Sequence, residues 1–356
     1  MSDDTIPTRK EQKQRNRQAI LQESKRPLSE EELARLERQK RSIQNRRGRK
    51  NPSVMPDKLA RTSAFAPRRK NLNTDSNFSR VYEVQGYSVV EVKGRELGSQ
   101  HRDAIYALFR LPRNKVTIPN PIYRPGTLLS PVLSFCETRT TWRELLKITA
   151  RTEHVNNLLS LLTVFQEIQQ VSVLIHQGRS IEELERIRKS RILSTLADTP
   201  GMASPLITEL SWDGAQLDSA VAVRYGATVL EMIEKAYLVS INADVQFRLK
   251  SDHAKTFWPF IDSQPNFHWI DENRLAQLAG RDLWCAKETS ATRAQFRKEC
   301  REALADMKQA GGLSEWREEV TGSGRKKSRR YHYVHASPRQ LELSLDRSLK
   351  ITPGVG

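Results

Sequence analysis

The stretch TSATRAQFRKECREALADMKQAGG, residues 289–312, runs directly into LSEWREEVTGSGRKKSRRYHYVH, residues 313–335. At 100° per residue, Phe296, Cys300, Ala303, Leu304 and Met307 share one stripe of a helix extending from Thr289 to Ala310. Thr289, Ser290 and Thr292 offer capping hydroxyls at its start, and Gly311-Gly312 is a stop signal at its end. Ala291, Ala294, Gln295, Lys298, Glu302 and Ala305 point away from the stripe, with Arg297 and Arg301 flanking that face. Glu315 to Val320 and Arg329 to His335 then read as two strands joined by a flexible tip, Thr321 to Ser328. The tip and the start of the return strand carry Arg325, Lys326, Lys327, Arg329 and Arg330, with no acid among residues 321–330.

Upstream, Ser251 to Ile261 and Asp271 to Ala279 read as two shorter helices, the second capped by Asp271 and stopped by Gly280. A connector, Arg281 to Glu288, leads into the long helix. A similar order occurs earlier. Thr141 to Ala150 and Glu153 to Gln169 read as helices, Val171 to Ile175 as a strand, and Leu206 to Trp212 with Val221 to Tyr225 as a hairpin around Asp213-Gly214. Val155, Leu158, Leu159, Leu161, Leu162, Val164, Phe165 and Ile168 cover far more than one face of 153–169, which predicts a buried helix, with core packing favoured over a subunit contact. Residues 179–200 read as a charged insertion. Ahead of these, Val81 to Val92 predicts a hairpin turning at Gly86, and Gln100 to Leu111 a helix. Five prolines between 112 and 131 predict an irregular connection, and Val132 to Phe135 a short strand. Helix, turn, helix and hairpin, twice over, is the order of tandem winged helices.

The chain of 356 residues has a net charge of +17, with 59 Lys+Arg against 42 Asp+Glu. Such a balance favours a polyanionic partner, most readily nucleic acid. Residues 1–70 concentrate that charge, with 20 lysines and arginines against 9 acids and Phe65 as the one aromatic. Too little apolar surface is available there to offset the entropy of ordering, so a basic arm is expected over 1–75. It serves either as a phosphate-contacting segment or as a solvated tail. Three widely spaced cysteines, Cys136, Cys285 and Cys300, form no CxxC pair and fit a reducing cytoplasm. The apolar run from Val155 to Ile175 is broken by Asn156, Asn157, Gln166 and Glu167, so no membrane span is expected. No phosphate-binding glycine loop, dinucleotide fingerprint or HExxH motif occurs, so neither an enzyme nor a cofactor is expected. His332 and His335 lack a third ligand for a metal.

The outward pattern of the long helix suits a DNA groove. Small residues such as Ala294 allow close approach, Gln295 matches adenine, and Arg297, Lys298 and Arg301 match guanine or phosphate. Ser290 lies at the helix N-terminus, where a phosphate is favoured. The hairpin cations Arg325, Lys326, Lys327, Arg329 and Arg330 suit a phosphate backbone or a minor groove. Near the C-terminus, Gln340-Leu341-Glu342-Leu343-Ser344-Leu345 resembles the bacterial sliding-clamp-binding hexapeptide, with Gln340, Leu341, Leu343 and Leu345 as the pocket-filling positions. The alternative is that these leucines pack on the preceding domain.

The whole chain resembles plasmid replication initiators of the winged-helix Rep class, nearest to the TrfA type. RTSAFAPRR (61–69) resembles the segment ahead of the first domain, and TWREL (141–145) the opening of its first helix. FRKECREAL (296–304) resembles part of the long reading helix of the second domain. The resemblance implies a cytoplasmic, nucleoid- or plasmid-associated protein that binds origin repeats (iterons) in double-stranded DNA and promotes origin opening. It implies recruitment of a host initiator and the replicative helicase, with a homodimer and the polymerase sliding clamp as further candidate partners. The expected fold is α+β: an arm (1–75), a first winged helix (76–236, with the insertion), a second, DNA-reading one (237–336) and a flexible tail (337–356). A winged-helix transcriptional repressor of plasmid or phage is the alternative function, and a nonspecific nucleoid or RNA-binding protein a third.

Overall fold

The computed structural model describes residues 29–31, 33–34, 53–61, 64–84, 88–126, 130–176, 201–234, 237–264, 267–283, 289–322 and 328–336. The fold is mixed α+β. In chain order, the first elements are β1 (Ser53–Pro56), α1 (Asp57–Ala60), β2 (Phe78–Val84), β3 (Ser88–Gly94), α2 (Ser99–Arg110), β4 (Asn114–Pro119), β5 (Val132–Thr141), α3 (Trp142–Ile148) and α4 (Val155–Gln169). There follow β6 (Ser172–His176), β7 (Gly201–Pro205), β8 (Ile207–Trp212), β9 (Ala220–Tyr225), α5 (Ala227–Glu234), β10 (Leu238–Ile241) and α6 (Ala243–Arg248). The last part comprises α7 (Asp252–Asp262), β11 (Trp269–Asp271), α8 (Glu272–Leu278), α9 (Ser290–Gln309), β12 (Leu313–Thr321) and β13 (Ser328–His335).

From α7 onward the expected helices and hairpin strands are found to within two residues at most ends, and a short strand that was not expected, β11, joins them. The three strands form a sheet in the order β11-β13-β12, with all pairs antiparallel. Helix α9 is capped by Thr289, whose hydroxyl accepts from the Thr292 N–H at 3.2 Å. It ends in a Schellman turn. The Gly312 N–H donates to Met307 O at 2.9 Å and the Gly311 N–H to Lys308 O at 3.0 Å, with Gly311 at φ 79°. Gly280 ends α8 in the same way at φ 68°, and a Cβ there would stand 2.7 Å from the Tyr82 ring. That close approach seats β2 against α8.

The earlier half departs from expectation in its pairing. The hairpin β2–β3 forms as predicted, but its sheet continues through β6 to β7. Thus the strand after α4 does not join the β8–β9 hairpin. That hairpin pairs instead with β5 and β4. A short apolar strand carries no marker of its neighbour, so sequence order suggested the wrong one. The charged segment 179–200 lies outside the described residues. The proline-rich connection contains an edge strand, β4, where Pro119 at the strand end sacrifices no interior ladder bond.

The expected arm also ends earlier than residue 75. Strand β1 pairs antiparallel with β10, and Met55, Leu59, Ala64 and Phe65 are buried. Low apolar content over seventy residues masked a short apolar cluster near its end. The Arg102 side chain, itself buried, lies over the Phe65 ring at 5.3 Å and donates to Phe65 O at 2.8 Å. Arg69 reaches Asp252 at 2.8 Å, and Arg61 Nε donates to the Ser263 hydroxyl at 3.2 Å, so this strap touches both ends of α7. One buried apolar cluster includes Met55, Phe65, Tyr106, Val245, Phe257 and Phe296, so the two expected units share a core.

Helix α4 is also less buried than its composition suggests. Leu158, Leu161, Val164, Phe165 and Ile168 face the core, whereas Val155 and Leu159 are 47% and 46% exposed. Phe65 tests the strap directly. Phe65→Ala should lower unfolding free energy by about 3–5 kcal/mol, as for other fully buried aromatics. Urea denaturation checks this, and a change under 1 kcal/mol would show the strap to be dispensable.

Candidate nucleic-acid interface

Helix α9 packs its predicted stripe, and Phe296, Cys300, Ala303, Leu304 and Met307 are all fully buried. Burial pushes the Cys300 thiol well above its ordinary pKa, so it stays neutral as a packing group. The N-terminus of α7 helps seat the helix: the Lys250 and Ser251 N–H groups both donate to Asp306 Oδ2 at 2.8 Å. Beneath the helix, Arg281 lies over the Phe296 ring at 4.9 Å.

With that stripe inward, the opposite face is exposed as expected. Ser290, Ala291, Ala294, Gln295, Lys298, Glu302 and Ala305 are all on the surface. Gln295 Nε2 donates to Glu299 Oε1 at 3.0 Å. Lys298 is 65% exposed and stands 3.9 Å from Glu302, one turn on. Such an exposed pair contributes about 0.5 kcal/mol at most, and a phosphate competes with it readily. Arg301 is 45% exposed and donates to Glu318 Oε2 on β12 at 3.2 Å.

The other two arginines are placed differently. Arg297 turns toward α8, where its Nε donates to Glu272 Oε1 at 2.6 Å. Arg329 lies on the inner side of β13, ion-paired with Glu318 and 4.0 Å from Glu272 Oε2. Arg330 occupies the outer side and stacks over the Trp269 ring at 4.5 Å. Arg325, Lys326 and Lys327 lie outside the described residues, as does the hexapeptide Gln340, Leu341, Leu343 and Leu345. The strand ends that flank the tip, Thr321 and Ser328, pair directly. That pair lies three residues beyond Glu318.

Sequence periodicity found the cations but not their partners. Glu272 and Glu318 are 46 residues apart, on separate elements. Only the β12–β13 register and the seating of α8 bring them to one cluster of arginines. The first turn of α8 offered one sign, since Glu272 follows the Asp271 N-cap directly. Among the described residues, no group of three or more His, Cys, Asp and Glu side chains could hold a metal ion. No helix among them is long and apolar enough to cross a membrane.

No known family profile matches the sequence, and no curated protein matches it. Solved structures do. The chain is similar to domains 2 and 3 of RctB, at 11% identity over 79% of this chain and 98% of that one, with a TM-score of 0.47. A second structure of RctB domains 2–3 covers 78% and 97% at 11% identity, with a TM-score of 0.42. The Pi initiator protein in complex with iteron DNA is similar over 81% of this chain and 98% of that one, at 10% identity and a TM-score of 0.46.

Proposed function

We propose that this chain binds double-stranded DNA sequence-specifically and acts as an initiator of plasmid replication at origin repeats. The observation that carries the DNA reading is the outer face of α9. It presents Ser290, Ala294, Gln295, Lys298 and Arg301 to solvent beside a hairpin whose tip sequence holds three consecutive cations. A helix bearing small residues, an amide and cations at groove-facing positions can enter a major groove. A basic hairpin beside it then follows the phosphate backbone. The Ser290 end of the helix, with Thr289 as cap, offers free N–H groups to a phosphate. Lys298 and Arg301 contact bases, while Arg325, Lys326, Lys327 and Arg330 contact phosphates. Binding, not covalent chemistry, is the activity.

The step from DNA binding to initiation rests on the sequence resemblance to Rep-class initiators and on the clamp-type hexapeptide. A repressor has no need of such a peptide. In the initiator reading, the protein opens adjacent DNA, recruits the host initiator and helicase, and contacts the sliding clamp through Gln340, Leu341, Leu343 and Leu345. A second copy of the chain is a further partner.

Three measurements test this. Duplexes selected by the wild-type chain from a randomised library define its site. Lys298→Ala with Arg301→Ala should weaken binding to that site by about 10- to 100-fold per lost base contact, with the protein still folded by circular dichroism. Unchanged affinity would move the reading surface elsewhere. Replacing Arg325, Lys326 and Lys327 by Ala should weaken all duplexes alike and reduce the slope of log K against log salt by about one per lost phosphate contact. An effect confined to one base position would contradict a backbone role. Leu343→Ala with Leu345→Ala should abolish capture of the purified sliding clamp, and persistent capture would show that the hexapeptide is not the clamp contact.

A further inference from the structure

Five side chains from four elements form a continuous chain of alternating charge at the base of the hairpin: Arg297 (α9), Glu272 (α8), Arg329 (β13), Glu318 (β12) and Arg301 (α9). Accessibility is greatest at its Arg301 end. Glu272 is buried, Arg297 and Arg329 are 29% and 21% exposed, and Arg301, at the outer end, is 45% exposed. Arg329 is flanked by a carboxylate on each side, and Arg297 is held by a 2.6 Å charge-assisted bond. Both positive charges are thereby neutralised inside the fold. Arg301 has one carboxylate contact, through a single Nη1, at 3.2 Å. Its Nε and second Nη have no part in that bond, and the side chain is 45% exposed.

We infer that Glu318 is a positioning residue that sets the specificity of DNA binding by holding and competing for Arg301, while Arg297 and Arg329 are structural members of the same chain. The inference rests on the DNA reading above. Its physical basis is a difference between two bound states. On an unrelated duplex, Arg301 has only phosphate to meet, and Glu318 opposes that contact. On the right site, a base edge offers the guanidinium a bidentate partner in the orientation Glu318 already imposes. A carboxylate beside a reading arginine therefore weakens the wrong complex more than the right one. The same carboxylate ties the strand that carries the hairpin tip to the reading helix, so the two contacts act in a fixed relation.

The test uses the full chain, a random-sequence 30-base-pair duplex and the best duplex selected by the wild type. Glu318→Gln keeps size but removes the charge and one of the two acceptor oxygens, so it can accept from Arg301 or Arg329 but not both. It should tighten random-duplex binding by about two- to five-fold, the scale of a half-exposed ion pair, and steepen the salt slope. The ratio of selected to random affinity should fall. Because Glu318→Gln can also loosen the hairpin, a second pair of variants reads the assignment independently. Arg301→Gln should reduce the salt slope by about one or narrow the selectivity, whereas Arg329→Gln should lower the melting temperature without changing the slope. Unchanged random-duplex affinity in a folded Glu318→Gln protein overturns the inference, as does a slope loss in Arg329→Gln equal to that in Arg301→Gln. If the wild type selects no sequence and binds no duplex, the DNA reading itself fails. If the wild type selects a site and the variants behave alike, only the role of Glu318 fails.

Discussion

Helix α9 has one apolar stripe, and its burial governs the interface. Phe296, Cys300, Ala303, Leu304 and Met307 have no alternative face to offer the core, so packing them against α7 and the sheet leaves no rotational freedom. Once that stripe is inward, Gln295 and Lys298 must face outward. The cap at Thr289 and the Schellman turn at Gly311-Gly312 fix the helix ends, and the second of these delivers the chain straight into β12. The exposed polar face is thus a consequence of core formation and required no separate folding information.

A second constraint connects that helix to the hairpin. Hydrophobic packing alone is tolerant of small slides between a helix and a strand, because apolar contacts are non-directional. Charge-assisted hydrogen bonds are directional, and the Glu272 and Glu318 carboxylates each meet arginines from different elements. The result is that α9 and the base of the hairpin hold a fixed spacing. Acids within a basic interface look counterproductive by net charge, yet they convert mobile cations into oriented ones.

The strap from Ser53 to Lys70 plays a comparable part on a larger scale. Strand β1 pairs with β10, Phe65 fills the core under Arg102, and Arg61 and Arg69 reach opposite ends of α7. With Tyr82 seated on Gly280, these contacts join the halves of the chain through a single apolar cluster. Two helix-and-hairpin units that share a core present their surfaces as one body, which suits a partner as long and stiff as duplex DNA.

Local pattern determined the second unit almost completely. Its helices announce themselves through one-sided stripes and paired stop signals, and its hairpin through alternating strands around a glycine-rich tip. These are properties of a residue and its near neighbours, so they are readable without coordinates. That Lys298 faces outward along α9 was legible for the same reason: periodicity alone separates it from Phe296. What tertiary structure decided was everything that depends on distant partners. Strand β6 joins β3 and β7 and not the following hairpin, because an apolar strand pattern does not specify its neighbours. Phe65 enters the core despite its basic surroundings, since one large aromatic and a buried guanidinium outweigh the local charge density. Arg297 and Arg329 turn inward because Glu272 and Glu318 arrive from other elements, and a long flexible side chain follows the strongest nearby charge.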